Sequence, residues 1–167
     1  MTLEEALDRM VASYMRYYDV MREDTAPFSA KAEFHAHGES YLLFKEAKMW
    51  EMDSNEYVYF YVAESPDAET VKDLIETAWE DAVSRVTPGK NHRNSDVTFL
   101  LAADTLPPET RKLVKRTNRS KGYAHGFQGW SNLKLGAFEL STGKTATNRH
   151  GADLKKLLQN IFKKGKR

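Results

Sequence analysis

The sequence predicts a single α+β domain, with a mixed, mainly antiparallel sheet, one parallel βαβ crossover and the element order αβββαβαββα. Three observations carry this. Residues 57–63 and 97–103 are apolar on both faces, the mark of strands buried on both sides. Between them Val71, Leu74, Ile75, Ala78, Trp79, Ala82, Val83 and Val86 recur at helical spacing, so the unit reads as a right-handed parallel crossover. Upstream, Phe28, Ala30, Ala32, Phe34 and Ala36 alternate with polar residues, the period of a half-buried strand. A chain of 167 residues forms one domain over 1–167 whose core needs neither disulfide nor metal, with residues 163–167 as a frayed basic tail.

The elements follow in order. Thr2-Leu3-Glu4-Glu5 is a capping box and opens a helix over residues 2–24, with Leu3, Leu7, Met10, Tyr14, Tyr17 or Tyr18, and Met21 on its apolar face. Thr25-Ala26-Pro27 ends it. The strand from Phe28 turns at His37-Gly38-Glu39-Ser40, and residues 41–52 read as a second strand. Asp53-Ser54-Asn55-Glu56 turns into the third. Ser65 is the expected N-cap, and Pro66 the first residue, of a helix over 65–87 that Pro88-Gly89 stops. Pro107-Pro108 starts a short basic helix that ends near Asn118. A Gly-rich, aromatic stretch follows, with a strand at 123–127 and a buried Trp130. Residues 133–140 form a strand, Ser141-Thr142-Gly143-Lys144 a hairpin turn and 145–148 its return. Leu154, Leu157, Leu158, Ile161 and Phe162 mark the last helix.

Composition removes several chemistries. With no cysteine there is no disulfide scaffold, thiol nucleophile, Cys-ligated zinc or iron–sulfur cluster. The first 24 residues are charged and contain no apolar signal region. No stretch is long and apolar enough for a membrane span, so a cytoplasmic protein without a membrane partner is expected. Gly143-Lys144-Thr145 fails as a phosphate loop because Phe138 occupies the required upstream glycine position. Gly122, Gly126 and Gly129 do not make a dinucleotide fingerprint. Charge is split along the chain. Residues 1–104 carry 21 acids and 10 bases, whereas residues 105–167 carry 3 acids and 15 bases. Three readings fit: halves that attract each other within the fold, a basic face for an anionic partner, or a homo-oligomer whose acidic and basic faces meet.

Gly129-Trp130-Ser131, the strand after it, Ser141-Thr142-Gly143-Lys144 and Asn148-Arg149-His150-Gly151 form a recognisable series. With the Tyr-rich N-terminal helix, Phe34-His35-Ala36, Asn55-Glu56-Tyr57 and Ala103-Asp104, the chain resembles a family of uncharacterised bacterial proteins, a domain of unknown function. The resemblance spans most of the chain and implies one intact domain. It supplies no activity and no catalytic residue.

Candidate chemistry therefore rests on the residues. Glu64 and Asp104 each follow a central strand, where open α/β sheets gather ligands, and two carboxylates there suit Mg²⁺. The element order is also that of a restriction-endonuclease-like fold, so a degenerate divalent-metal-dependent phosphodiester hydrolase is one reading. Its third strand lacks the expected lysine, and Lys48, in Glu46-Ala47-Lys48, or Asp53 would assist from elsewhere. Against this stands the plain role of Glu64 and Asp104 as acids at helix starts. Glu33, His35 and His37 share a strand face at spacing two and compose a weak divalent-metal set, although such faces are commonly just solvated. Arg111, Lys112, Lys115, Arg116, Arg119 and Lys121 make a cationic run. Tyr123 and Phe127 follow as stacking candidates, a pattern that suits the phosphates and bases of nucleic acid. The structural alternative is a solvated helix whose aromatics anchor a loop. The leading expectation is a non-enzymatic module that binds a polyanion, with no cofactor, and Mg²⁺ enters only under the hydrolase reading.

Overall fold

The structure, a computed structural model, describes residues 1–35, 53–87 and 92–163. The strand expected over 41–52, the turn at His37, Lys48, the Pro88-Gly89 stop, the side chain of Asp53 and the tail beyond Lys163 lie outside the described residues. The chain runs α1 (Leu3–Ala12), β1 (Asp19–Met21), β2 (Ala30–His35), β3 (Asp53–Ala63), α2 (Ala68–Ser84), β4 (His92–Ala103), α3 (Pro108–Arg116), β5 (Ser120–Gly122), β6 (Trp130–Glu139), β7 (Thr145–Thr147) and α4 (Leu154–Ile161). It is a single α+β domain with a mixed sheet. The described strands lie in the order β1-β2-β3-β4-β6-β5, and β7 also pairs with β6.

The apolar strands are interior, as their composition requires. β3 pairs in parallel with β4 from Ser54↔Asn94 to Ala63↔Ala103, and antiparallel with β2 on its other side. β4 pairs in parallel with β6 from Asn94↔Trp130 to Ala103↔Glu139, a second parallel pairing beyond the single crossover read from the sequence. β5 and β7 share the far edge of β6, one at each end. Helices cover both faces. On one, Val71, Ile75, Ala78 and Trp79 of α2 and Val114 of α3 pack on Tyr59, Phe99, Leu101 and Leu135. On the other, Ala6, Met10 and Val11 of α1 and Leu154 and Leu158 of α4 pack on Val58, Phe60, Leu100 and Phe138. Gly136 lets α4 approach: a Cβ there would lie 3.0 Å from Leu158 Cδ1 and 3.2 Å from Leu154 Cβ.

The first helix is shorter than its apolar spacing suggests. Thr2 and Glu5 form the capping box, but α1 ends at Ala12 rather than near residue 24. The Ser13 hydroxyl bonds the Met10 carbonyl at 2.6 Å, and the residues after it include Tyr, Asp and Val, which are indifferent helix formers. Tyr14 meets Phe60 edge-on at 5.5 Å, and Tyr18 packs against Phe34 at 5.3 Å. Asp19–Met21 then pairs with residues 31–33 of β2. Tertiary pairing overrides the helical period. The cap of α2 also differs from expectation. Asp67, not Ser65, accepts the Thr70 N–H at 2.7 Å, because buried Pro66 is held in the preceding turn by the Thr110 hydroxyl on its carbonyl.

The aromatic stretch near residue 123 differs too. Ala124–Gly126 is a 3₁₀ turn, not a strand, and β5 precedes it. Tyr123 is the buried anchor, its hydroxyl 2.9 Å from Ser131 Oγ. Trp130, expected inside, is 41% exposed, because it begins β6 beyond the helices that cover the sheet.

Asn148 closes the far edge. Its Oδ1 accepts from the N–H groups of Leu135 and Gly151, and its Nδ2 donates to the carbonyls of Thr117 and Leu133. A Cβ on Gly151 would sit 2.5 Å from the Leu135 carbonyl oxygen and 2.7 Å from Asn148 Oδ1. The Asn148-Arg149-His150-Gly151 series is thus architectural. Gly151→Ala and Asn148→Ala should each destabilise the fold by about 2–4 kcal/mol, read as a lower urea midpoint at unchanged slope. An unshifted midpoint in either variant would contradict this role.

Candidate functional site

The fold brings some of the expected residues together and employs others structurally. Glu64 and Asp104 follow the paired residues Ala63 and Ala103 and so end adjacent parallel strands. Their backbones are tied down: Thr105 N–H donates to the Glu64 carbonyl, and Ser141 N–H to that of Asp104. Asp104 borders a cavity of about 550 Å³ lined by Phe138, Leu140, Ser141, Thr142 and Phe162. Glu64 is exposed and is not in that lining.

Glu33 and His35 share a face, but both are engaged. Glu33 forms an ion pair with Arg85 at the end of α2, whose guanidinium lies 5.1 Å from the centre of the Tyr57 ring. His35 bridges Glu33 at 3.3 Å and Asn55 at 2.8 Å. His37 lies outside the described residues. Among the described residues, no three His, Asp or Glu side chains converge as metal ligands.

The cationic run divides. Arg111 is partly buried and bonds Glu139 and the Thr145 carbonyl. Glu139 also accepts from Thr142 and from the Leu106 N–H, and these bonds hold its carboxyl below the usual glutamate range. Arg111 thus pins α3 to β6 and β7. Lys112, Lys115 and Arg116 are exposed, Arg119 lies 3.8 Å from Glu76, and Lys121 sits over Tyr123. One side of α3, the β6–β7 turn and α4 meet around an open cleft of about 490 Å³. It is lined by Arg111, Lys115, Gly143, Lys144, Thr145, Lys155 and Gln159, with no acid among them. Lys144, read from the sequence only as a turn residue and a failed phosphate-loop match, and Lys155 join them because the fold brings the hairpin and α4 to α3. Of the two stacking candidates, Tyr123 is buried and offers no face, whereas Phe127 is 88% exposed.

A second polar group escaped the sequence reading. Glu56 pairs in register with Asp96, and Asp96 with Asn132, so three polar side chains stand in a row on one face of β3, β4 and β6. This is the face covered by α1 and α4, near the strands' N-terminal ends. Tyr18 donates to Glu56 at 3.0 Å. Lys134, one pleat along β6 from Asn132, donates to Asp153 at 2.8 Å. Burial pushes the Glu56 carboxyl up to about 7, against the Lys134 charge and the Tyr18 bond, and burial also raises Asp96. Burial works to lower Lys134, but the Asp153 bond and the charges of Glu56, Asp153 and Asp96 outweigh it and raise it. The one available signal was a charged residue at an inward position of each strand, as in Leu133-Lys134-Leu135.

With this geometry in place, comparison with known proteins locates the chain. Residues 2–160 match the family described as Domain of unknown function (DUF8052). The chain belongs to that family. No curated protein and no solved structure matches it. The match to DUF8052 covers all the described strands and the helices up to residue 160, and it assigns no activity to any residue. No helix among the described residues is long and apolar enough to cross a membrane.

The buried acid makes stability depend on pH. The folded pKa of Glu56 is above the unfolded value of 4.5, so the folded state holds the proton more tightly. Its contribution is present in full below the unfolded pKa and is lost as pH rises through about 7. In metal-free buffer the melting temperature should therefore fall between pH 5 and 8, and Glu56→Gln should flatten that fall. An identical slope in the variant would exclude Glu56 as its source.

Proposed function

We propose that the protein binds nucleic acid through the basic edge formed by α3, the β6–β7 turn and α4. The carrying observation is the cleft in which Lys115, Lys144 and Lys155 join Arg111 from three separate elements with no acid in the lining. Cations from different elements converge only if the fold holds them there, and their mutual repulsion is relieved when phosphates replace water and counterions. Lys112, Arg116, Arg119 and Lys121 extend the charge along α3 toward β5, and exposed Phe127 beyond them offers a base a stacking surface. This reading takes the protein as a cytoplasmic binding module, with no catalytic step assigned to it.

The hydrolase reading keeps one favourable observation, the adjacency of Glu64 and Asp104 at the ends of paired strands. It is the weaker reading, because Glu64 is absent from the lining of the cavity beside Asp104.

The test is a titration of labelled single-stranded DNA at several salt concentrations. Wild type should bind at low salt and weaken steeply as salt rises. A Lys115→Ala, Lys144→Ala, Lys155→Ala triple variant should lose affinity and show a log–log salt slope shallower by about 2, at roughly 0.7 per phosphate contact. Arg111 stays unchanged in this design because it supports the fold. Failure of the wild type to bind at low salt, or equal slopes, would overturn the proposal.

A further inference from the structure

We propose that the row Glu56, Asp96 and Asn132 is a binding site for one hard divalent cation, Mg²⁺, Mn²⁺ or Ca²⁺. This site is separate from the basic edge and does not depend on the nucleic-acid reading. Three features lead to it. The first is geometry. Glu56↔Asp96 and Asp96↔Asn132 are register partners, so their side chains leave the same face of neighbouring strands about 4.8 Å apart. The two carboxylates at that spacing can reach one ion at the roughly 2.1–2.5 Å that Mg²⁺ and Ca²⁺ require, with water completing the shell. Oxygen donors without sulfur or imidazole select hard cations over transition metals. Ser120 Oγ donates to Asn132 Oδ1 at 2.9 Å and so holds the amide with its oxygen toward β5. Asn132 thus bounds the row on that side, and it meets an ion held by Glu56 and Asp96 through a water molecule of the ion's shell.

The second feature is charge. Glu56, Asp96 and Asp153 face one ammonium, that of Lys134, which is tethered to Asp153. When all are ionised, two negative charges remain uncompensated in a partly buried setting. Tyr18 donates one hydrogen bond to Glu56 but brings no charge. His150, 3.3 Å from Ser120 Oγ, stands at the far end of the row. A divalent ion has the charge this set lacks.

The third feature is independent of the acids. Thr98 is fully buried, and its Oγ1 has no hydrogen-bond partner among the described residues. It lies one pleat along β4 from Asp96, on the same face, and its register partners are Val58 and Lys134. A buried hydroxyl without a partner, one pleat from a carboxylate row, is destabilising unless something supplies the missing bond. A hydrated cation seated on the row brings its own water molecules to that depth. Glu56, Asp96 and Asn132 remain partly exposed, which leaves an entry path.

The experiment uses the full chain, stripped with chelator and dialysed at low ionic strength and pH 8, with MgCl₂, MnCl₂ and CaCl₂ added separately in a calorimeter. One saturable site per chain is expected, with a dissociation constant at or below about 1 mM. Glu56→Gln and Asp96→Asn should each weaken binding at least tenfold. Lys134→Met should tighten it about tenfold, because it removes the cation that competes for the same carboxylates. Misfolding would weaken binding, so the opposite sign for Lys134→Met separates a cation site from a merely structural cluster. Absence of saturable binding in folded wild type would overturn the proposal. So would undiminished binding in Asp96→Asn, or a loss confined to Asp104→Asn, which would move the ion to the other end of the strands.

Discussion

The molecule depends on the parallel pairing of β3, β4 and β6. A parallel ladder has no solvent-tolerant face, because the connections that return the chain must run over the sheet and bury it. α2 and α3 pack on one side of these strands, α1 and α4 on the other, and the strands' buried apolar residues divide between two layers. The small residues Ala102, Ala103, Gly136 and Ala137 belong to the same constraint. All are buried, and a Cβ on Gly136 would lie within contact distance of two leucines of α4.

The helices do not cover the full length of these strands. β4 has 12 residues and β3 has 11, whereas α1 has 10 and α4 has 8, and a helical residue advances less than half as far as a strand residue. The N-terminal ends of the strands therefore project beyond the apolar layer on the α1 and α4 side. There the inward positions change from Val58, Leu100 and Phe138 to Glu56, Asp96 and Lys134. Polar residues on a covered sheet face are tolerated only where hydrogen bonds or ions replace lost water. The Tyr18–Glu56 and Lys134–Asp153 bonds do part of that work. The same geometry exposes Trp130 at the start of β6.

What could be read from the sequence followed from local physics. Strands apolar on both faces, the stripe of α2, the capping box at Thr2 and the Pro107-Pro108 start each arise within a few residues, and each appears in the fold. What could not be read was decided across distance. The apolar spacing of Tyr14, Tyr18 and Met21 suits a helix, yet the rings are held by Phe60 and Phe34 and the backbone by β2. No local rule weighs a strand partner that arrives ten residues later. Tyr123 and Trp130 exchanged their expected places for a similar reason. Which of two nearby aromatics is buried depends on where the covering helices end, and that length is not written beside either residue. Arg111 and Lys115 are identical in sequence terms, cations four apart on one helix. Only Glu139, 28 residues downstream, makes the first a structural bond and leaves the second to solvent.

The charge split acquires a spatial meaning from this arrangement. The acidic half of the chain does not simply neutralise the basic half. The contacts between them include the Arg119–Glu76 pair at 3.8 Å and the pull of Lys134 on Glu56 and Asp96, while Lys115, Lys144 and Lys155 gather around a cleft without an acid in its lining. Those three lysines come from α3, from the turn after β6 and from α4, and β7 is the element that all three adjoin. Its three residues hold the edge of β6, and Asn148 just after it ties Leu133, Leu135, Thr117 and Gly151 into one knot. The backbone beside the basic edge is thus tied by an uncharged side chain. The three lysines are exposed, but the fold sets their backbones around one cleft. Their field stays concentrated at the cleft, where an anion of matching spacing gains most from it.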